Sequence, residues 1–176
     1  MRIRANRTPP PADKKRVVGW NGMTIGALAR AGRILDRPDF IDAAQRAAEQ
    51  ILSAQATDGS LPRTLAAGAP IGVLQDYAYT GNGLLDLFET DANPRWLEAA
   101  TATARAMVNR FQDPETGVLY QSDDRVELLT RKVELTDGAE PSGPGRGLRL
   151  LARLHALGAP GIERTWIDRP LERAAW

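Results

Sequence analysis

Two segments of this sequence carry the same pattern of apolar residues 56 positions apart. In each segment a proline is followed by apolar residues at steps of three and four, the periodicity of one face of an α-helix. The matched positions are Pro38 and Pro94, Phe40 and Trp96, Ile41 and Leu97, Ala44 and Ala100, Ala48 and Ala104, Ile51 and Met107, and Leu52 and Val108. A repeat of about this length predicts an array of helical hairpins, in which neighbouring hairpins bury each other's apolar faces.

Five helices are predicted from the periodicity and from the residues that start helices. They begin near Trp20, Pro38, Asp76, Pro94 and Ser142. Asn21 is a suitable N-cap for the first helix, and prolines suit the first turn of the second and fourth. Gly81 and Gly83 lie inside the third helix and require a close neighbour to explain them. The five helices make two complete hairpins and the first helix of a third.

The remaining segments are predicted to be less regular. Residues 1–16 are basic and proline-rich, and we expect a disordered tail there. Residues 117–135 predict a small β-hairpin with Asp123 and Asp124 at a solvated tip. Beyond Leu157 the helical pattern fades, so residues 159–176 are predicted to form an irregular tail after the helical region of residues 17–158.

The composition excludes several classes of function. The chain has no cysteine and only one histidine, His155, so disulfides, thiolate zinc sites and histidine-based metal sites are not expected. We predict no cofactor. The formal net charge is +1, and the arginines are interpreted as scattered over helix faces without forming a stripe, so no nucleic-acid partner is expected. No apolar run approaches the ~20 residues of a membrane span, and we expect a cytoplasmic protein without a membrane partner.

Four sequence motifs in a fixed order resemble a known family. They are residues 17–32 around Trp20-Asn21-Gly22, residues 74–79, residues 93–100 and residues 137–143. This pattern is similar to the thioredoxin-domain-containing proteins related to spermatogenesis-associated protein. The resemblance implies an all-α fold: a partial (α/α)6 toroid like those of the six-hairpin glycosidases and the N-acylglucosamine 2-epimerases. It also implies that the chain is a C-terminal fragment of such a protein.

In a toroid of this kind the first helix of each hairpin lines the centre, and these inner helices are parallel. Their N-termini therefore meet at one mouth, where Trp20, Asn21, Asp76, Tyr77, Asp137 and Ser142 are predicted to lie. Helix N-termini favour anions and offer free N–H donors. Carboxylates accept from hydroxyl groups and aromatic faces stack on sugar C–H surfaces, so the mixture suits a sugar-like ligand. Asp76 and Asp137 are the predicted acid–base pair, because paired carboxylates carry glycoside hydrolysis.

Each of these positions also has a purely structural interpretation. Asn21, Asp76 and Ser142 are preferred N-caps, and Trp20 is a natural core residue. Epimerase chemistry is disfavoured, because the resemblance implies a dependence on histidines that His155 alone cannot supply.

Three hypotheses about function follow: a carbohydrate-related domain, a non-catalytic scaffold that binds a partner, and an inactive remnant. Asp76 and Asp137 distinguish them. Two carboxylates that point into one solvent-filled cavity favour the first hypothesis, whereas two that cap backbone N–H groups favour the others. We also expect half a toroid to expose a concave apolar patch, and to associate with itself or with the missing toroid half.

Overall fold

The computed structural model describes residues 7–8 and 11–174, in which six α-helices follow one another as three hairpins. The helices are α1 (Val18–Ile34), α2 (Pro38–Ser53), α3 (Leu74–Asp91), α4 (Pro94–Phe111), α5 (Gly143–Ala156) and α6 (Thr165–Ala174). The third hairpin is therefore complete, and the prediction of an irregular tail at residues 159–176 is wrong where α6 forms. For residues 1–6, 9 and 10, the expected disordered tail falls outside the described residues.

The repeat in the sequence is a repeat in the structure. Helices α1 and α3 begin at residues 18 and 74, and helices α2 and α4 begin at residues 38 and 94, so both pairs are offset by 56 positions. Within the first two hairpins the connection is three and two residues long, and within the third it covers residues 157–164. Between hairpins it is much longer, covering residues 54–73 before α3 and residues 112–142 before α5.

The hairpins stack side by side in two layers. Helix α3 packs between α1 and α5 in an inner layer, and each inner helix is backed by the second helix of its own hairpin. The fold is an all-α, partial α/α toroid, as the sequence predicts.

Glycines allow the inner helices to approach each other closely. A Cβ atom at Gly83 of α3 would overlap the backbone carbonyl oxygen of Gly22 in α1, and one at Gly22 would lie 2.5 Å from the backbone nitrogen of Thr80. On the other flank of α3, a Cβ atom at Gly81 would meet the side chain of Leu150 in α5. These contacts are the reason that a helix interior contains residues that weaken isolated helices.

The core lies between the two layers and is anchored by aromatic side chains. Tyr77, Trp96 and Phe111 are almost fully buried, and the rings of Tyr77 and Phe111 meet edge to face with their centroids 5.0 Å apart. Leu61 and Leu119, one from each long connection, close the core at the end of the hairpins where α3 and α5 begin.

The predicted β-hairpin at residues 117–135 does not form. The only β-pairing that the structure describes for those residues is an isolated bridge between Leu119 and Gln112. The guanidinium of Arg131 donates to the carbonyl oxygen of Ser122 within the segment and to that of Arg110 in α4. Asp123 is not at a solvated tip but 1% exposed, with its carboxylate on the guanidinium of Arg125 at 2.8 Å.

Within the described part of the chain, none of the six helices combines the length and the apolar character that crossing a bilayer requires.

Candidate functional site

The N-termini of the three inner helices meet at one end of the molecule. The backbone N–H of Gly19 in α1 donates to the Asp76 carboxylate in α3, at 2.8 Å. The hydroxyl of Tyr79 in α3 donates to the carbonyl oxygen of Pro141, two residues before α5. These bonds gather the leading ends of α1, α3 and α5, which is the arrangement that the sequence predicts for the mouth.

Trp20 lies at this mouth with half of its surface in solvent. It is 51% exposed, and its indole Nε1 donates to the Glu140 carboxylate at 2.5 Å. Trp20 is therefore not a core residue. Asn21 does not cap α1, because the helix begins at Val18 and Asn21 lies within its first turn. Its side-chain Nδ2 instead donates to the carbonyl oxygen of Val17 at 2.8 Å.

Asp76 is the third residue of α3 and has no exposed surface. Its carboxylate accepts the N–H groups of Gly19 and Val73, at 2.8 and 2.9 Å, and pairs with the Arg63 guanidinium at 2.8 Å. Burial raises the pKa of Asp76, while Arg63 and the two N–H groups act in the opposite direction. The side chain joins the start of α1, the start of α3 and the connection between α2 and α3.

Asp137 and Ser142 lie together at the start of α5. The Asp137 carboxylate accepts the backbone N–H of Ser142 at 2.8 Å, and the Ser142 hydroxyl accepts the N–H of Gly145 at 3.1 Å. Ser142 is the N-cap of α5. Asp137 is exposed, so its second carboxylate oxygen remains open to solvent.

Tyr77 is not brought to the mouth. It is fully buried on the core side of α3, and its hydroxyl accepts the N–H of Leu61 at 2.9 Å. Neighbouring residues of an α-helix point in directions about 100° apart, so Asp76 and Tyr77 cannot face the same space. Tyr79 lies at the mouth instead, and burial raises its pKa to about 12.

The connections before α3 and α5 form a pocket at the mouth, and of the six predicted site residues only Ser142 lines it. Its lining residues are Arg63, Val73, Gln75, Gln121, Glu134, Thr136, Gly138, Ala139, Glu140, Pro141 and Ser142. Arg63, Gln75 and Glu140 are not among the predicted site residues. Gln75 and Glu140 lie within two of the four family motifs, whereas Arg63 lies in a connection without any periodic signal.

A second depression, which we call the inner cleft, runs along the exposed face of the inner layer. It is lined by Gly22, Met23, Gly26 and Arg30 of α1, by Tyr79, Asn82, Gly83 and Asp86 of α3, and by Arg146, Arg149 and Arg153 of α5. The expectation of a concave apolar patch is wrong for this surface, because arginines cover it. The interpretation of the arginines as scattered is also wrong: Arg146, Arg149 and Arg153 are three and four residues apart and share one helix face.

Asp86 holds the cleft together from the middle helix. Its carboxylate is 5% exposed, pairs with the Arg153 guanidinium of α5 at 2.8 Å, and also contacts the Arg30 guanidinium of α1. Gly26 leaves the space that the Asp86 carboxylate fills, since a Cβ atom there would overlap it. One buried carboxylate thus links all three inner helices.

Fold and site together define a partial α/α toroid with a polar inner cleft and a mouth at the inner-helix N-termini. The chain is similar to spermatogenesis-associated protein 20 from rat and from human, with 31% identity to each over 183 aligned positions. These alignments cover 96% of this chain and 23% of each relative, so the chain spans about a quarter of their length. No protein-family model matches the chain.

Two solved structures share the fold. An α-mannanase of glycoside hydrolase family 76 from Bacteroides thetaiotaomicron superposes with a TM-score of 0.73 and 16% identity, over 98% of this chain and 46% of the mannanase. Unsaturated glucuronyl hydrolase from Bacillus sp. GL1 superposes with a TM-score of 0.59 and 19% identity, over 89% of this chain and 43% of the hydrolase. Both are six-hairpin toroids, and the three hairpins of this chain correspond to nearly half of each.

Proposed function

We propose that this chain binds a sugar-like ligand at the mouth, as part of a toroid region like that of spermatogenesis-associated protein 20. The observation that carries the proposal is the half-exposed indole of Trp20, held by Glu140 where three inner helices begin. An indole face fixed in this way offers a flat apolar surface for the C–H groups of a sugar ring.

The polar groups around the indole suit hydroxyl ligands. Asp137 has a carboxylate oxygen open to solvent, and Arg63 supplies a guanidinium that is one-third exposed. The side-chain Oε1 of Gln75 is buried and has no hydrogen-bond partner among the described residues. Buried polar atoms are normally satisfied, so this acceptor without a donor supports a polar ligand in the pocket that Gln75 lines.

The predicted acid–base pair is less well supported than binding. A general acid or base must come within hydrogen-bond reach of the substrate. Asp76 has no exposed surface and already accepts three hydrogen bonds, and Asp137 accepts the N–H of Ser142. By the criterion set from the sequence, this favours the second candidate function, a non-catalytic helical scaffold, and equally an inactive remnant. Asp137 is the member of the pair that a ligand can reach.

The binding proposal is tested by the indole signal of Trp20. The ¹⁵N-labelled chain is titrated with mannose, glucose, N-acetylglucosamine and glucuronic acid, and the indole N–H resonances are recorded by NMR. We expect the resonance of Trp20 to shift on saturation with at least one of the four. The variant Trp20→Ala is expected to abolish binding, and the matched control Trp166→Phe, on outer helix α6, is expected to retain it. No shift with any sugar at ~10 mM, equivalent to a binding free energy weaker than about 3 kcal/mol, would leave the scaffold as the better account.

We also propose that the C-terminal ends of α1 and α5 pack against further hairpins, from a second copy or from the rest of a longer protein. Ile34 and Leu35, at the end of α1, are 74% and 62% exposed, and Leu157, after α5, is 46% exposed. Light scattering over a range of concentrations tests the first source. A dimer supports packing against a second copy, and a monomer at all concentrations contradicts it.

A further inference from the structure

The arginines of the inner cleft are not neutralised equally. Arg153 lies 2.8 Å from both the Asp86 and Glu89 carboxylates, and Arg30 contacts Asp86. Arg146 and Arg149 have no carboxylate within 4.0 Å among the residues that the structure describes. The cleft therefore carries two guanidinium groups whose charge the protein does not compensate locally.

These two arginines are supported by the backbone around them. The Asn82 side-chain Nδ2 donates to the carbonyl oxygen of Arg146 at 2.9 Å, and the N–H of Arg146 donates to the carbonyl oxygen of Ser142 at 3.0 Å. Arg149 follows on the same face of α5, one turn further along. A helix held at its start presents both guanidinium groups from a fixed backbone, which reduces the entropy lost on binding.

The cleft adjoins the mouth at two residues. The ring of Tyr79 lines the cleft while its hydroxyl bonds to Pro141 at the mouth, and Arg146 lies one helical turn below Ser142. Gly22, Gly26 and Gly83 also line the cleft, where α1 and α3 approach each other closely. A ligand whose ring rests at the mouth can extend a substituent toward the arginines.

We infer that the ligand is an acidic sugar, with an anionic substituent bound by the uncompensated guanidinium groups of Arg146 and Arg149 in the inner cleft. This inference rests on the proposed sugar-binding function and specifies the class of ligand. Guanidinium groups form planar, two-pronged hydrogen bonds with carboxylates and phosphates, and a concave wall of one charge concentrates the field on such a group. A carboxylate and a phosphate meet the same requirement, and the experiment separates them.

The test is calorimetric titration of the full chain with D-glucuronate, D-glucose 6-phosphate, D-glucose and inorganic phosphate. Glucuronate and glucose differ only in the group at C6, so their comparison isolates the charge. We expect at least one of the acidic sugars to bind about tenfold or more tightly than glucose, with an affinity that falls as salt is added. Preference for glucuronate identifies a carboxylate, and preference for glucose 6-phosphate identifies a phosphate.

The variants assign the effect to the two arginines. The double variant Arg146→Gln with Arg149→Gln is expected to lose about tenfold or more in affinity for the acidic sugar and none for glucose. Neither side chain takes part in an ion pair among the described residues, and an unchanged thermal unfolding midpoint verifies that the variant folds. Arg46→Gln on outer helix α2, also exposed, is the matched control and is expected to bind like the unaltered chain.

Three results would overturn the inference, and they differ in whether the proposed sugar-binding function is retained. Equal affinity for glucose and the acidic sugars, unaffected by the double variant, retains the sugar-binding function but removes the acidic class. Binding of inorganic phosphate without any sugar indicates an anion site and contradicts both proposals. Absence of binding by all four compounds also contradicts both.

Discussion

The carboxylate of Asp86 in the central inner helix and the guanidinium of Arg153 in the next inner helix lie 2.8 Å apart. The same guanidinium is equally close to the Glu89 carboxylate, which is one helical turn further along α3. The two acidic partners differ in burial: the Asp86 side chain is 6% exposed and the Glu89 side chain is 45% exposed. Arg153 therefore allows a buried and an exposed ion pair to be compared on one cation.

We predict that Asp86→Asn destabilises the fold far more than Glu89→Gln. Removal of one partner from a buried pair leaves an uncompensated charge, and we expect a loss of about 2 to 4 kcal/mol because Arg30 is also left without its partner. For Glu89 the expected loss is below about 1 kcal/mol, since water already screens that pair. Urea unfolding followed by circular dichroism measures both. Equal losses in the two variants would mean that Asp86 does not link the inner helices.

The glycines of α3 provide a second prediction. Gly83→Ala places a methyl group against the backbone of Gly22, which cannot move without separating α1 from α3. We expect the free energy of unfolding to fall by about 3 kcal/mol or more. Gly81→Ala is the matched control in the same helix, because its methyl group meets the flexible end of Leu150. Its expected effect is within about 1 kcal/mol, since the gain in helix propensity offsets a change of rotamer. Thermal unfolding of the two variants tests the difference, and a well-folded Gly83→Ala would contradict the close approach of α1 and α3.

Asp123 is predicted to be a stabilising residue, although its neighbour in the sequence is not. It is 1% exposed and pairs with Arg110 and Arg125, at 3.3 and 2.8 Å, whereas Asp124 is exposed. Asp123→Asn is expected to lower the free energy of unfolding by about 3 kcal/mol. Asp124→Asn is expected to change it by less than about 0.5 kcal/mol. Chemical denaturation distinguishes the two variants. A loss of stability in Asp124→Asn but not in Asp123→Asn would contradict the burial of the Asp123 carboxylate.

The same carboxylate predicts a dependence of stability on pH. Burial opposes ionisation of Asp123, but the hydrogen bonds from Arg125 dominate and hold its pKa below the ordinary value of 3.8. A carboxyl group with a lower pKa in the folded state stabilises the fold above its unfolded pKa, and this contribution is lost as the pH falls. We expect the free energy of unfolding to decrease from about pH 5 downward, and to decrease less steeply in Asp123→Asn. If the free energy of unfolding falls with pH equally steeply in the unaltered chain and in Asp123→Asn, the Asp123 carboxylate makes no such contribution.

Much of the scaffold could be predicted because it depends on local periodicity. Helices α2 and α4 are predicted by their first-turn prolines and by apolar residues at steps of three and four. The glycines inside α3 predict a close neighbour. Helix α6 was missed because Pro170 lies inside it, and an internal proline ordinarily argues against a helix.

The candidate site was harder to predict because it depends on which way each helix face turns. Asp76 and Tyr77 are adjacent in the sequence, yet one holds the mouth together and the other lies in the core. The spacing of Arg146, Arg149 and Arg153 shows that they share a face of α5. It does not show that this face lines a cleft beside α3. Residues 117–135 do not form the predicted β-hairpin, and within them Arg131 binds the carbonyl oxygen of Ser122, a contact that no strand pattern predicts.

The connection before α5 has 31 residues and the connection before α3 has 20, although the helices on either side of each have nearly the same lengths. Both connections end at the mouth, and beneath each of them the neighbouring inner helices pack side by side. A longer connection at this rim is thus compatible with a closed wall beneath it. An architecture with that property can gain new contacts for a ligand by lengthening its rim, while adjacent inner helices stay packed.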